Sequence, residues 1–135
     1  MWRGMPPYTV TAVIAAAILW LTLAPKPLGD SELRLFPHQD KAVHAVMFLS
    51  LTLAVIVDRC RRGLKSRRVH LAVAAGASVA LGGLTEVLQQ CMHLGRSGDW
   101  LDFAADIAGA AGAAVLVRAF ASRLNYNYNN LILRK

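Results

Sequence analysis

The chain has 135 residues, of which 56% are hydrophobic, and carries a formal net charge of +7. This length predicts one domain, residues 1–135, and the composition is more apolar than that of an ordinary soluble protein, which indicates a membrane protein. The positive charge does not indicate nucleic-acid binding, because the basic residues concentrate in a short loop between two apolar segments.

The first apolar segment predicts a transmembrane helix at about Tyr8–Ala24. The stretch Gly4–Pro25 has no charge, and it lacks the polar face that a soluble core helix would show. Pro25 and Pro27 close the helix. The same segment also resembles a signal peptide with Thr22-Leu23-Ala24 as a cleavage site, and cleavage would leave three spans.

Three further segments predict transmembrane helices. They are expected at about Lys41–Val57, Val69–Cys91 and Trp100–Phe120, which gives an all-α, polytopic bundle of about four helices. A basic loop, residues 58–68, separates the second span from the third. A polar tail, residues 121–135, follows the fourth span, and its Asn-rich part, Asn125–Asn130, is expected to be a loose end.

The distribution of Lys and Arg predicts the orientation of the bundle. Of the 15 such residues, eleven lie at the termini or in the basic loop, and four lie on the other side. Since positively charged loops stay in the cytoplasm, both termini and the basic loop are predicted to be cytoplasmic. The connections Leu28–Asp40 and His93–Asp99 then face outward. Cys60 and Cys91 lie on opposite sides, so no disulfide is expected.

Small residues predict close packing of the third and fourth helices. Each helix has a strip of small side chains four residues apart. The two strips are Ala72, Gly76 and Ala80, and Ala105, Gly109 and Ala113. In the third helix, Gly82-Gly83 also predicts a loosened turn just before Glu86.

Ionisable residues interrupt the apolar segments near their outward ends. An ionised carboxylate near the centre of a transmembrane helix costs about 2.5–3.5 kcal/mol on insertion scales, so such groups are usually paired, protonated or functional. Residues three, four or seven apart share a helix face. Three such groups, with Arg96 between the last two, predict one polar site at the outer interface: Asp40, Lys41 and His44; Glu86, Gln89, Gln90 and His93; and Asp99, Asp102 and Asp106.

The residue types in this site favour acid–base or metal chemistry. Paired carboxylates at low dielectric have pKa values that are pushed apart, so Glu86, Asp102 and Asp106 are candidate catalytic residues, with His44 as a proton carrier. Carboxylates and His44 could also hold a divalent metal. No H-E-x-x-H motif, nucleophile elbow or phosphate loop is present, so the sequence does not identify a metal or a cofactor.

A second set of residues is a candidate for ligand binding. Arg96 and Lys41 suit a phosphate or pyrophosphate headgroup, and Gln89, Asp40 and Asp99 complete the set. Structural interpretations stay open beside these. Asp99 could be a helix cap, Lys41 a headgroup anchor, and a hydrogen-bond network between helices could account for Glu86, Gln89, Asp102 and Asp106.

These motifs resemble the VanZ-like family of small bacterial membrane proteins. The resemblance covers about Asp40–Gly112 and lies in the order Asp40-Lys41-x-x-His44, Glu86-x-x-Gln89, Arg96, Asp99-x-x-Asp102 and Asp106-x-x-Gly109-x-x-Gly112. Many members carry Asn where this chain has Asp106. The resemblance implies a bacterial cell-envelope protein of the inner membrane, linked to low-level resistance to the glycopeptide teicoplanin, and it implies that the polar residues form one site.

The leading hypothesis is a multi-pass inner-membrane protein whose outward-facing site binds a lipid-linked or cell-wall-related amphiphile and could modify it. The bilayer and such an envelope precursor are the expected partners, and a homo-oligomer is possible. One alternative is a small transporter or ion-coupled carrier that uses Glu86 and Asp106. Another is a scaffold without chemistry, whose polar network only fixes helix packing.

Overall fold

Four helices make up most of the described part of the chain. The computed structural model describes residues 4–27, 36–62, 68–93 and 98–132, with side chains in the last range described as far as residue 122. No strand occurs in these ranges, so the all-α fold class is confirmed for them. The helices are α1 (Thr9–Leu23), α2 (Gln39–Arg61), α3 (Arg68–Met92) and α4 (Trp100–Ile132).

Three of the helices are long and apolar enough to cross a membrane. They are α2, α3 and the part of α4 from Trp100 to Ser122, with 23, 25 and 23 residues. The remaining helix, α1, has 15 residues. At a rise of 1.5 Å per residue it is about 22 Å long, which is less than the hydrocarbon core of about 30 Å.

Two helices extend beyond the predicted spans because no helix breaker stops them. α2 continues to Arg61, so Asp58 lies in the helix and not in the basic loop, and the next glycine is Gly63. α4 continues to Ile132 through the segment expected to be a loose end, since no glycine or proline follows Gly112. The expectation of a loose tail is therefore wrong as far as Ile132.

α4 packs most extensively against α2, and a glycine makes this contact close. A Cβ atom added at Gly109 would collide with the carbonyl oxygen of Ala45 and would lie 2.9 Å from its carbonyl carbon. Gly109 therefore faces α2. The prediction that its strip packs against α3 is wrong at this residue, although α3 and α4 are also in contact.

The strip of small residues predicted to line the α3 interface is exposed instead. Ala72, Gly76 and Ala80 lie on the outer surface, and a Cβ added at Gly76 would meet nothing within 4 Å. Both the predicted strip and the buried face have helical spacing, so spacing alone does not show which one faces inward. The buried positions are Leu71, Ala74, Ser78, Gly82, Thr85, Glu86 and Gln89.

Gly82 and Gly83 do not loosen α3, because the helix is continuous through both. Gly82 instead admits a side chain from α4: a Cβ there would lie 2.7 Å from Oδ2 of Asp106. The absence of a side chain thus lets a carboxylate of α4 approach the backbone of α3.

Apolar side chains are divided between two small internal clusters and a large outer surface. Ile18, Phe48 and Leu51 join α1 to α2, while other apolar residues join α2 to α3. An apolar outer surface is what helices in contact with lipid require. Large apolar side chains that face outward include Trp20, Val46, Val73, Val87 and Val115.

Polar side chains of neighbouring helices hold α1 at both ends. Near its start, the N–H and hydroxyl of Thr11 each donate to Asp58 at 2.8 Å, and Asp58 also accepts from Arg61 at 2.9 Å. Near its end, Nε2 of Gln89 donates to the carbonyl oxygen of Thr22 at 2.7 Å. These bonds satisfy backbone groups that helix ends leave unpaired, so they fix α1 on the bundle.

Candidate functional site

Seven of the predicted polar residues meet at one end of the bundle, where α2 begins, α3 ends and α4 begins, while Gln90 and His93 are exposed. The first group, here called the lysine cluster, consists of Lys41 and the three aspartates around it. Nζ of Lys41 lies 3.0 Å from Asp99, 3.1 Å from Asp102 and 3.3 Å from Asp40. An ammonium has three N–H donors, so these contacts account for all of them and join α2 to α4.

Asp99 is the N-cap of α4 as well as a member of the lysine cluster. Its carbonyl oxygen accepts from the N–H groups of Asp102 and Phe103, and its Oδ1 accepts from the N–H of Leu101 at 2.9 Å. The Leu101 N–H and the Lys41 ammonium hold the pKa of the Asp99 carboxyl below its usual value. The structural interpretation of Asp99 as a cap is therefore confirmed.

The second group, here called the histidine cluster, consists of His44, Glu86 and Asp106. Nδ1 of His44 lies 2.9 Å from Oδ1 of Asp106. Each of the three residues offers one potential metal-ligating atom, and these atoms lie within 4.8 Å of one another. Nε2 of His44 is 3.9 Å from Oδ2 of Asp102, so Asp102 lies between the two clusters.

Glu86 reaches the histidine cluster from α3 and also contacts the segment that begins α4. Its Oε2 accepts the N–H of Asp99 at 2.7 Å. Gly98, which precedes Asp99, lies so close to α3 that a Cβ added to it would be 2.6 Å from the carbonyl oxygen of Glu86. The sequence did not indicate Gly98, because helical spacing rules say nothing about a residue that lies outside the helices.

Two carboxylate oxygens of the histidine cluster are buried without a hydrogen-bond partner among the described residues. They are Oε1 of Glu86 and Oδ2 of Asp106. The exposed fraction is 9% for Glu86 and 0% for Asp106. Buried polar atoms normally have partners, since leaving a buried carboxylate oxygen unpaired is costly. The cluster therefore has capacity for a proton or a cation.

The remaining predicted site residues lie apart from the histidine cluster. The amide of Gln89 is bonded to Thr22, so this side chain supports α1. Asp40 is the most exposed member of the lysine cluster. Arg96 lies outside the described residues. The role of Thr22 could not be read from the sequence, because it contributes a backbone oxygen, which every residue has.

Acidic side chains outnumber basic side chains in the two clusters. Their described side chains comprise five carboxylates, one lysine and one histidine. Lys41 is engaged within its own cluster, and the histidine cluster has only the imidazole to balance Glu86 and Asp106. Such an arrangement can exchange protons between imidazole and carboxylate, and it can attract a cation.

Comparison of the chain with family models, with curated proteins and with solved structures finds no match.

Proposed function

We propose that this chain is a VanZ-like protein of the bacterial inner membrane, with cytoplasmic termini and with both polar clusters facing outward. Its site binds a lipid-linked or cell-wall-related amphiphile that carries an anionic headgroup, and acts on that headgroup. The excess of Lys and Arg at the termini and in the basic loop supports the orientation. The order of the motifs that contain Lys41, Glu86 and Asp102 supports the family.

The pair of unpartnered oxygens on Glu86 and Asp106 is the observation that carries this proposal. A polar network that only joins helices would pair its buried oxygens, since a partly satisfied network is worse than an apolar contact. Asp58 and Gln89, buried polar side chains that join helices elsewhere in the bundle, are paired, whereas the hydroxyl of Thr52 is also buried without a partner. The histidine cluster departs from the rule at two carboxylate oxygens, which cost more to leave unpaired than a hydroxyl does, and this favours a functional role.

Arg96 is the proposed first contact for the anionic headgroup, because a guanidinium matches phosphate geometry. Lys41 has its ammonium on three aspartates, so it reaches an anion by exchanging one of them. Asp40 is the most exposed of the three and has the longest contact, at 3.3 Å. It is therefore the partner that a headgroup would replace.

His44 and Asp106 are the proposed proton-transfer pair. Their 2.9 Å contact is within the reach that general acid–base catalysis requires. Asp102, at 3.9 Å from the other ring nitrogen, is placed to orient the imidazole once a ligand changes the lysine cluster. Glu86 supplies a further acid, base or ligand from the opposite helix.

The experiment is to express the chain in a teicoplanin-susceptible bacterium and measure the inhibitory concentration of teicoplanin. The unmodified chain is expected to raise it. Glu86→Gln and Asp102→Asn are expected to abolish the increase, because each removes a charge while keeping the shape of the side chain. Asp58→Asn is the matched control, since Asp58 is a buried carboxylate at the other end of the bundle and should retain the phenotype.

Membrane abundance, measured on the same cells, separates a lost site from a lost protein. If the unmodified chain gives no resistance, the link to glycopeptides is wrong. If Glu86→Gln and Asp102→Asn both keep full resistance at normal abundance, the site takes no part in it.

A scaffold without chemistry is the second candidate, and the capping role of Asp99 and the bond of Gln89 to α1 favour it. It predicts that Glu86→Gln and Asp102→Asn change neither resistance nor stability. An ion-coupled carrier is supported less well, because deeper buried groups such as Thr52 and Ser78 are hydroxyls, and Ser78 is bonded within its own helix. Ion flux into liposomes that contain the purified chain would reveal a carrier.

A further inference from the structure

We propose that the histidine cluster is a binding site for one divalent transition-metal ion, held by His44, Glu86 and Asp106. The three residues come from three helices, α2, α3 and α4, so the ion would also join these helices at the end where the polar residues meet. Among the described residues this is the group of His, Cys, Asp and Glu side chains whose ligating atoms converge.

The separation of the ligating atoms fits a single ion. With metal–ligand bonds of about 2.0–2.2 Å, two ligands of one ion lie about 3.0–4.2 Å apart, depending on the angle between them. In the histidine cluster the three atoms lie within 4.8 Å of one another. The widest separation exceeds the upper end of that range by at most about 0.6 Å, a gap that small side-chain shifts can close.

The unpartnered oxygens supply the second, independent observation. Oε1 of Glu86 and Oδ2 of Asp106 are buried and lack hydrogen-bond donors among the described residues, while the other oxygen of each carboxylate is engaged, with Asp99 and with His44 respectively. In each of the two carboxylates, one oxygen thus fixes the orientation of the side chain and the other has no hydrogen-bond donor. For Glu86 the orienting N–H comes from Asp99, outside the ligand set, which is typical of metal sites. For Asp106 the orienting contact comes from His44, another of the proposed ligands.

Charge complementarity points to a cation and not to a neutral ligand. The two buried carboxylates face one imidazole, and the nearby ammonium of Lys41 is shared among three other carboxylates. A divalent ion would neutralise Glu86 and Asp106 together, which removes the cost of keeping them ionised away from water.

The ligand types select the class of metal. One imidazole nitrogen and two carboxylate oxygens suit Mn²⁺ or Zn²⁺ better than Ca²⁺, which takes six to eight oxygen ligands. Three protein ligands leave coordination positions open. On the basis of the proposed function, we assign one of those positions to a phosphate oxygen of the headgroup. The bound ion would then explain how a site rich in carboxylates can bind an anion.

The test is a titration of the purified, EDTA-treated protein in detergent with Mn²⁺ alone, followed by the electron paramagnetic resonance signal of free Mn²⁺. The protein is expected to bind one ion per chain, and Zn²⁺ is expected to compete. Glu86→Gln and Asp106→Asn should weaken binding by at least the roughly 10–100-fold that loss of an outer-shell partner causes, because each removes a ligand. Asp58→Asn is the control and should bind as the unmodified protein does.

Circular dichroism and size-exclusion chromatography show whether each variant is folded. The proposal is overturned if the unmodified, folded protein binds neither Mn²⁺ nor Zn²⁺, or if Glu86→Gln and Asp106→Asn bind with unchanged affinity. Loss of teicoplanin resistance in these variants without metal binding by the unmodified protein would remove the metal and leave the proposed function. Metal binding by a chain that gives no resistance phenotype would remove the proposed function and leave the metal site.

Discussion

Replacing Gly109 by alanine would force apart the two helices that carry most of the site. The added Cβ would lie 2.9 Å and 3.0 Å from the carbonyl carbon and Cα of Ala45. Carbon atoms in contact are normally about 3.5–4.0 Å apart, so α2 and α4 must separate locally by about 0.5–1 Å. Since the obstruction is backbone, a side-chain rotation cannot relieve it, and overpacking of this kind costs about 1–3 kcal/mol.

The same separation would act on the polar contacts beside it. His44 directly precedes Ala45, and its partner Asp106 lies one turn before Gly109, with 2.9 Å between them. We therefore expect Gly109→Ala to lower the free energy of unfolding by about 1–3 kcal/mol and to weaken the binding of Mn²⁺. Equilibrium unfolding in mixed detergent micelles, followed by circular dichroism, measures the first effect.

Gly112→Ala is the matched control on the same helix. A Cβ at Gly112 meets nothing within 4 Å, and alanine is more favourable than glycine in a helix by about 0.5–1 kcal/mol. Because this gain applies to both variants, they should differ by the cost of overpacking at Gly109, about 1–3 kcal/mol. If they prove equally stable, Gly109 does not set the distance between α2 and α4 and the reasoning is refuted.

Three other substitutions test the remaining contacts. Gly82→Ala would place a Cβ 2.7 Å from a carboxylate oxygen of the histidine cluster and should weaken Mn²⁺ binding without removing a ligand, whereas Gly76→Ala, in open space, should leave the titration unchanged. Gln89→Leu removes the donor to a buried carbonyl of α1 and should cost about 1–3 kcal/mol of unfolding free energy. Gln90→Leu, on the exposed neighbour, is its control. Lys41→Met leaves three carboxylates without their shared cation and should lower the thermal unfolding temperature in detergent.

Each of these expectations has a contrary result. Equal Mn²⁺ affinity of Gly82→Ala and Gly76→Ala would show that the carboxylate beside α3 is not a ligand. Equal stability of Gln89→Leu and Gln90→Leu would show that the bond to α1 contributes nothing. An unchanged or raised unfolding temperature of Lys41→Met would show that the lysine cluster does not stabilise the bundle.

The helices could be predicted from the sequence, but their ends and their contact faces could not. Apolar stretches of sufficient length located four helices, because length and hydropathy are properties of each segment by itself. The ends of α2 and α4 depend on where helix breakers occur: Gly63 is the first glycine after α2, and no glycine or proline follows Gly112. Hydropathy does not register such breakers. The buried face of α3 depends on its neighbours, and the strip through Gly76 has the same spacing as the one through Gly82.

The members of the candidate site could also be predicted in part. Helical spacing, and a position near the outward end of each predicted span, indicated that His44, Glu86 and Asp106 approach one another. The structure brings them together. The cap formed by Asp99 was among the interpretations of the sequence, because it depends on a backbone N–H two residues further along the chain. The task of Gln89 was not predictable, because it depends on a backbone oxygen of another helix. Spacing predicts which side chains share a face, but the partner of each is fixed only by tertiary packing.

The carboxylate of Asp58 and the amide of Gln89 are both completed by backbone atoms of α1. Detachment of α1 would leave the amide of Gln89 without its acceptor and would leave Asp58 with Arg61 as its remaining partner. The shortest helix is therefore an integral component of the assembly and not an accessory peptide. A protease that severed the chain after Ala24 would therefore leave α1 bound to the other helices through these contacts.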